Sequence, residues 1–495
     1  MVQSPPRPES LVFAIRLFPE ITIKSAPVRK HWTKMLAQNI RMLGRQIHER
    51  TSVVQDWDRI EVRVPSNSAS IRAEFVDLLS RIPGIANYSE VRVFPLQDLH
   101  DIYEKTAAIW APALRGKTFC VRVKRNGRHG FSSGDVERYV GGGFNQHAET
   151  AGVKLKDPDV TVHIEIKDEL FYVLSGKLTG LGGFPLGTQD PVLSLVSGGF
   201  DSTLASFHMI RRGMRTHFCF FNLGGRAHEV GVKEIAFYLW KKYGASHRVK
   251  FITVPFDGVV NEILTKIGPA NMGVVLKRMM LRAAQQVAAK GGIQALVTGE
   301  AISQVSSQTI TNLSAIDRVC DALVLRPLIA AAKPDIIAEA RAIGVEDFAA
   351  NIPEYCGVIA VKPSANVNLA CLEEEEASFD FAILDNAIAQ CRVQAIDQVM
   401  KDAEVAKVTE VSVLPPSGVV IDIRHPTEQG LRPLADIQQD ILCIPFYKLD
   451  TEMSNLDSNT EYFLYCDRGV MSALHTSHLL ESGYTNVKVY RPAKT

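Results

Sequence analysis

The apolar positions of the chain switch between a period of two and a helical period, and these switches predict four segments. Residues 1–75 alternate strand and helix patterns: 11–18 is a short apolar run, 26–47 a basic stretch of helical period, and 59–65 alternates apolar and polar positions, so strand, helix and strand are expected. The stretch 73–94 leads across the boundary into the segment 76–178. Further strands are expected there at 117–125, 159–166 and 169–176, with a loop at 126–135. Gly141, Gly142 and Gly143 read as turn residues, and the glycine-rich 176–191 reads as a linker.

From 191 the pattern becomes strand, helix, strand: strands at 191–196, 215–223 and 248–256 enclose helices at 202–213 and 230–244. A further apolar strand at 294–300 carries polar residues at its C-terminal end. This alternation predicts a doubly wound, parallel α/β domain over 179–400, with its site at the strand C-termini. The stretch 371–401 is expected to be helical, with the four glutamates 373–376 at a solvated helix start. A linker at 414–418 lies near the start of a last segment, 411–495, of short strands alternating with helices.

Composition narrows the class. With 495 residues, 46% hydrophobic and 22% charged, the chain is a multidomain soluble globular type. No apolar run approaches the roughly 18 residues of a membrane span. The first twenty residues lack the basic-then-apolar pattern of a secretory leader, so a cytoplasmic protein without membrane association is expected. The net charge of +1 conceals an asymmetry: residues 1–130 hold 21 Lys/Arg against 12 Asp/Glu. That basic third fits a polyanion partner such as nucleic acid, and equally a solvated surface. None of the eight cysteines forms a C-x-x-C pair, which gives no support to a zinc ribbon or an iron–sulfur cluster.

The chemistry concentrates first at "SGGFDS", residues 197–202, between an apolar strand and a helix. Free backbone N–H groups and the positive helix end make such a turn an anion site; Gly198 and Gly199 permit close approach, and Ser197, Ser202 and Thr203 add hydroxyls. The turn has no lysine, so it is not a G-x-x-x-x-G-K-[ST] loop. The motif resembles the pyrophosphate loop of ATP pyrophosphatases, which use ATP to adenylate an oxygen. That resemblance implies a loop clamping the β and γ phosphates, with Asp201 holding Mg2+ or orienting the attacking oxygen.

Three further stretches, "LKRMMLRAA" (276–284), "TGEAISQVSSQT" (298–309) and "LRPLIAAAKPDII" (325–337), resemble the ATP site of tRNA 4-thiouridine synthases. The resemblance implies that Leu195, Val196, Lys277, Gly299 and Gln308 join the turn in lining ATP, and that Lys333 is a catalytic lysine near the reacting base. Two departures stand out. The family usually has an acid before that lysine, where this chain has Ala332, and "EAISQVSS" replaces the commoner "ESLGQVAS". "FPEITIKS" (18–25) followed by a basic helix resembles the same family's ferredoxin-like start (1–75), and "FCVRVKRNGRHGFSSGDVERYVGGGF" (119–144) its THUMP RNA-binding module (76–178). Lys124, Arg125, Arg128 and His129, on a loop after a strand, are the candidates for phosphate contacts there. By themselves they also fit a solvated hairpin tip.

The last segment resembles a rhodanese-like sulfurtransferase: "VVIDIRHPTEQG" matches its Asp-Arg strand and loop, and "YCDRGVMSA" its active-site loop. The loop N–H groups, the helix dipole and Arg468 would stabilise a persulfide on Cys466. The resemblance makes Cys356 the resolving cysteine that leaves a Cys356–Cys466 disulfide; without it, Cys356 reads as a buried structural thiol. His475 and His478 on the following helix read as surface residues.

Together these resemblances imply ATP-dependent transfer of persulfide sulfur to a tRNA uridine, at position 8 by family expectation, giving 4-thiouridine. They imply ATP with Mg2+, no resident metal site, no iron–sulfur cluster and no PLP on this chain. Expected partners are tRNA, a PLP-dependent cysteine desulfurase, a disulfide reductant, a sulfur-carrier protein of thiamine synthesis and a second copy of the chain. Two other readings stay open: a thiamine-pathway sulfur donor with vestigial tRNA activity, and a tRNA-binding protein with a decayed ATP site.

Overall fold

The computed structural model describes residues 10–55, 59–223, 225–351, 363–400, 408–424, 426–434, 437–466 and 470–492. Two compact units divide the chain, Met1–Thr188 and Gln189–Thr495. No described helix is long and apolar enough to cross a membrane.

The first unit is built on one nine-stranded sheet. Its central strand, Ile85–Pro95, is long enough to serve two neighbourhoods: residues 85–90 pair antiparallel with Leu11–Leu17, and 91–95 pair antiparallel with Leu170–Leu174. The basic helix Ala26–Ile47 buries Thr33, Leu36, Ala37, Ile40 and Gly44, a spacing that forms one face of a 3.6-residue helix and leaves its lysines and arginines outside. Leu36 and Ile40 join Phe13, Ile15, Phe75 and Leu79 in one core cluster. A second cluster, with Phe119, Val140, Phe144, Ile164 and Phe171, underlies the other half.

Two expectations are corrected here. Gly141, Gly142 and Gly143 are not in a turn but inside the helix Ser133–His147, whose start is fixed by a capping box between Ser132 and Asp135. The reason is packing: a Cβ at Gly143 would lie 2.5 Å from the Tyr103 ring of the helix Leu99–Leu114. The glycine-rich stretch is also more than a tether, since Leu178–Thr179 pairs with the central strand and Phe184 and Leu186 are buried.

The second unit contains two sheets. The first runs Leu323–Leu325, Ala295–Val297, Gln189–Leu195, Met214–Asn222, Lys250–Pro255 and Arg392–Ala395; all pairings are parallel except the last. Residues 371–401 therefore do not form one helical stretch. Helices Leu369–Glu376 and Phe381–Ala389 give way to the edge strand Arg392–Ala395. Asp380 caps the second helix by accepting the Ala382 N–H at 3.0 Å. The glutamate run closes its helix instead of opening it. Glu376 is buried there, bonded to Arg278 at 2.6 and 3.0 Å and to Arg282 at 3.1 Å. The second sheet is parallel throughout, in the order Glu410–Val411, Val487–Tyr490, Tyr462–Tyr465, Val419–Asp422, Ile441–Cys443.

Candidate functional site

The strand Gln189–Leu195 lies inside its sheet, and Val196 extends the pairing by donating to the Cys219 carbonyl at 2.9 Å. Gly198 then turns the chain with φ +86, and Gly199 caps the helix Phe200–Arg211. Ser202 ties the turn together: its Oγ accepts the Ser197 N–H at 3.2 Å and lies 3.3 Å from the Gly199 carbonyl. On the far side His228 contacts the Ser197 carbonyl at 3.1 Å through Nε2, which must donate because a carbonyl only accepts. Burial pushes the pKa of His228 down, opposed by that bond, so the ring is neutral at neutral pH. The loop is thus held from both sides.

Asp201 projects from the first helical turn into a small polar cluster. Lys333 Nζ lies 2.9 and 3.0 Å from its two carboxylate oxygens, and Gln304 donates to Oδ2 at 2.7 Å. The lysine also sits 5.6 Å over the Phe200 ring. Lys333 opens the helix Lys333–Ile343, and Ala332 stands at its N-cap with no side-chain cap. Gln304 follows a left-handed residue that turns the chain toward Asp201: Ser303 has φ +61, costly for a side-chain-bearing residue.

Beside this cluster the chain leaves the strand Ala295–Val297 and passes close to the turn. A Cβ at Gly299 would lie 2.4 Å from the Asp201 carbonyl carbon, so only glycine fits. Lys277 points its ammonium at buried Glu300, 2.9 Å away, and Arg326 meets the same carboxylate at 2.7 Å. Burial alone would raise the Glu300 pKa, but these two cations hold it below the ordinary value. Gln308 is buried with Oε1 lacking a hydrogen-bond partner among the described residues, as is the Thr203 hydroxyl.

The structure thus brings together Val196, Ser197, Gly198, Gly199, Asp201, Ser202, Gly299 and Lys333, with Leu195 entering the turn from the strand. Lys277 and Gln308 lie on the adjoining segments. Gln304, Glu300, Arg326 and His228 were not singled out from the sequence. The first three lie within the stretches quoted above, but nothing in a linear pattern shows which side chain meets which.

In the first unit, Arg125 and His129 fix the loop instead of standing free. Arg125 meets the Gly127 carbonyl and His129 Nδ1 at 3.1 Å, and His129 Nε2 reaches the Asp168 carbonyl at 2.8 Å. Lys124 and Arg128 are exposed beside them.

In the second parallel sheet, Cys466 follows the strand Tyr462–Tyr465 and is 8% exposed. Its Sγ accepts the Ser472 N–H at 3.3 Å, near the start of the helix Val470–Glu481, and lies 3.4 Å from Ser472 Oγ. Buried Arg424 grips Asp422 through two nitrogens, at 2.9 and 2.6 Å, and lies over Tyr465. Cys356, Arg468 and the His478 side chain lie outside the described residues. His475 departs from expectation: it is buried and not on the surface, because it packs against Glu234 of the helix Gly225–Leu239.

Comparison with known proteins accords with this arrangement. Residues 187–381 match the family model described as Thiamine biosynthesis protein (ThiI), 97–175 the THUMP domain and 12–89 the ThiI ferredoxin-like domain. A solved 4-thiouridine synthetase, in an RNA complex with bound ATP, superposes with TM-score 0.68 at 23% identity; the match covers 78% of this chain and all of that one, a likeness of fold. A tRNA sulfurtransferase of Saccharophagus degradans is 61% identical, covering 97% of this chain and 100% of its own length. Those of Colwellia psychrerythraea and Aeromonas salmonicida are 53% identical with the same coverage. A match of that identity over 97% of the chain takes in both the region of Asp201 and that of Cys466, and on it the chain belongs to the tRNA sulfurtransferases.

Proposed function

We propose that the chain makes 4-thiouridine in tRNA by ATP-dependent transfer of a persulfide sulfur. The observation that carries this reading is the convergence of Asp201, Lys333 and Gln304 on a strand-to-helix turn built to receive an anion. The N–H groups at Gly198, Gly199 and the helix start hold the β and γ phosphates of ATP. That leaves the α-phosphorus facing the C4 oxygen of the uridine. The oxygen attacks, pyrophosphate leaves, and the uridine carries AMP on C4–O. Lys333 is positioned to neutralise charge developing on the phosphoryl oxygens. Mg2+ would arrive with the phosphates, with Asp201 the carboxylate in reach; among the described residues no cluster of three or more His, Cys, Asp or Glu forms a cage for an ion of its own.

Sulfur comes from Cys466, in a module we read as rhodanese-like on its five-stranded parallel sheet and the N–H that Ser472 directs at the thiol. A cysteine desulfurase loads it as Cys466–S–SH. The terminal sulfur attacks C4, AMP departs with the C4 oxygen, and tRNA is left linked to Cys466 through a disulfide. Attack by the Cys356 thiolate on the Cys466 sulfur releases 4-thiouridine and leaves a Cys356–Cys466 disulfide, which a dithiol reductant reopens with two electrons. In the first unit, Lys124 and Arg128 contact tRNA phosphates, and Arg125 and His129 shape the loop that presents them. The ThiI model match favours a second use of the same persulfide, supply of sulfur for the thiazole of thiamine.

Unmodified tRNA, Mg-ATP, a cysteine desulfurase, cysteine and a reductant should yield 4-thiouridine, read by mass spectrometry of digested tRNA. Asp201→Ala and Cys466→Ala should each reduce the product by at least about a hundredfold. Product from Asp201→Ala at the wild-type rate would sink the adenylation step. Absence of product with Cys466 still loaded would leave the thiazole role as the better reading.

A further inference from the structure

We propose that the buried contact between Glu234 and His475 locks the Cys466 module onto the ATP module in register for sulfur transfer, an inference that rests on the reaction proposed above. Both residues belong to the second unit. His475 Nε2 lies 2.6 Å from Glu234 Oε1, with side-chain exposures of 9% and 8%. The two side chains face each other, acid against imidazole, in a space almost closed to solvent. A carboxylate buried without a polar partner is costly, so this surface of the ATP module is matched to a neighbour that brings an imidazole to it.

The surroundings have the anatomy of a specific interface. Phe446 packs between Phe348 of the ATP module, at 4.8 Å, and His475, at 5.6 Å. Tyr238 backs Phe348 at 4.9 Å. At the rim Lys241 pairs with Glu428. An aromatic centre, one desolvated acid–imidazole contact and a more exposed rim ion pair are the features that give an interface its register.

Register matters because the two locked helices each lead to a reaction centre. Glu234 shares a helix with His228, which holds the Ser197 carbonyl of the phosphate turn; six residues separate them, about 9 Å along the axis. His475 shares a helix with Ser472, whose N–H meets Cys466 Sγ; three residues separate them, about 4.5 Å. A change at the lock therefore moves the phosphate turn and the sulfur relative to each other. Glu234 and His475 are positioning residues and touch neither reactant.

The test uses the full-length protein with tRNA, Mg-ATP and a desulfurase, and reads three steps separately. These are persulfide on Cys466 by mass spectrometry, tRNA-dependent pyrophosphate release, and 4-thiouridine formed in a single turnover from preloaded persulfide. Glu234→Lys should leave the first two within about twofold and slow the third at least about tenfold, because a misplaced nucleophile loses its effective concentration. The double variant Glu234→Lys/His475→Glu should recover most of that loss. Glu234→Gln, which removes only the charge, covers the case in which the lysine variant misfolds, and should also slow transfer selectively. Unchanged or faster transfer in the single variants, or parallel loss of all three steps in Glu234→Gln, would overturn the lock. If the wild type makes no 4-thiouridine, the functional reading fails instead. The radius of gyration by small-angle scattering still tests docking, and should increase in Glu234→Lys.

Discussion

Ser303 carries more of the site's geometry than its chemistry suggests. Its left-handed backbone, φ +61, turns the chain so that Gln304 reaches Asp201 and its own N–H meets the Gln308 carbonyl at 3.0 Å. The related pattern "ESLGQVAS" has glycine at this position, the residue for which that conformation carries no Cβ penalty. Ser303→Gly should therefore stabilise the second unit by about 0.5–1 kcal/mol, the left-handed penalty less the extra chain entropy of glycine. Ser303→Val should destabilise it by about 1–2 kcal/mol, since a β-branched residue suffers most there. Urea denaturation of the three proteins measures both. A less stable glycine variant would show that the serine hydroxyl outweighs the backbone strain. The strain itself could not be seen in the sequence, where Ser303 is one more polar residue in a polar stretch.

At the level of elements, Ala332 acquires a meaning that its neighbours in sequence did not give it. The helix Lys333–Ile343 is well finished at its C-terminus: Gly344 has φ +80, and the Ile343 carbonyl accepts from Tyr238 and Tyr243 hydroxyls, each at 3.1 Å. At its N-terminus Ala332 stands where a capping side chain belongs. The acid usual in related sequences at this position thus reads as a helix cap for the element that carries Lys333. Ala332→Asp should stabilise the protein by about 1 kcal/mol and leave 4-thiouridine formation within about threefold. A tenfold change in rate without a change in stability would give the acid a chemical role instead. The same contrast explains what was legible beforehand. The strand, Gly-Gly turn and helix at 191–211 depend on local pattern and could be read from it. The edge strand Arg392–Ala395, the buried Glu376 and the inward His475 depend on Lys250–Pro255, Arg278 and Glu234, far away in the chain, and a linear reading placed all three wrongly.

At the scale of the whole molecule, four histidines whose pKa values are lowered make stability fall with acid before most carboxylates titrate. His217 is the strongest case: its Nδ1 accepts the Lys250 N–H at 3.0 Å, a bond that protonation destroys. Burial, with Arg215 and Lys250 nearby, pushes its pKa down to about 4. His163, His228 and His247 are also lowered, each chiefly by burial. A histidine with a depressed native pKa takes up its proton more readily when unfolded, at an ordinary value near 6.5. Its stabilising contribution is therefore complete above about pH 6.5 and is lost progressively as pH falls toward the native value. For His217 that loss amounts to roughly 1–3 kcal/mol by about pH 4, allowing for its partial exposure. Three of the four histidines lie in the second unit and only His163 in the first, so the units should respond unequally. Denaturant midpoints followed by hydrogen exchange of peptides from each unit, at pH 7.5, 6 and 5, should fall more steeply for Gln189–Thr495. His217→Gln should flatten that dependence while leaving the first unit unchanged. Equal slopes in the two units, or no flattening in the variant, would mean that other groups govern the acid response.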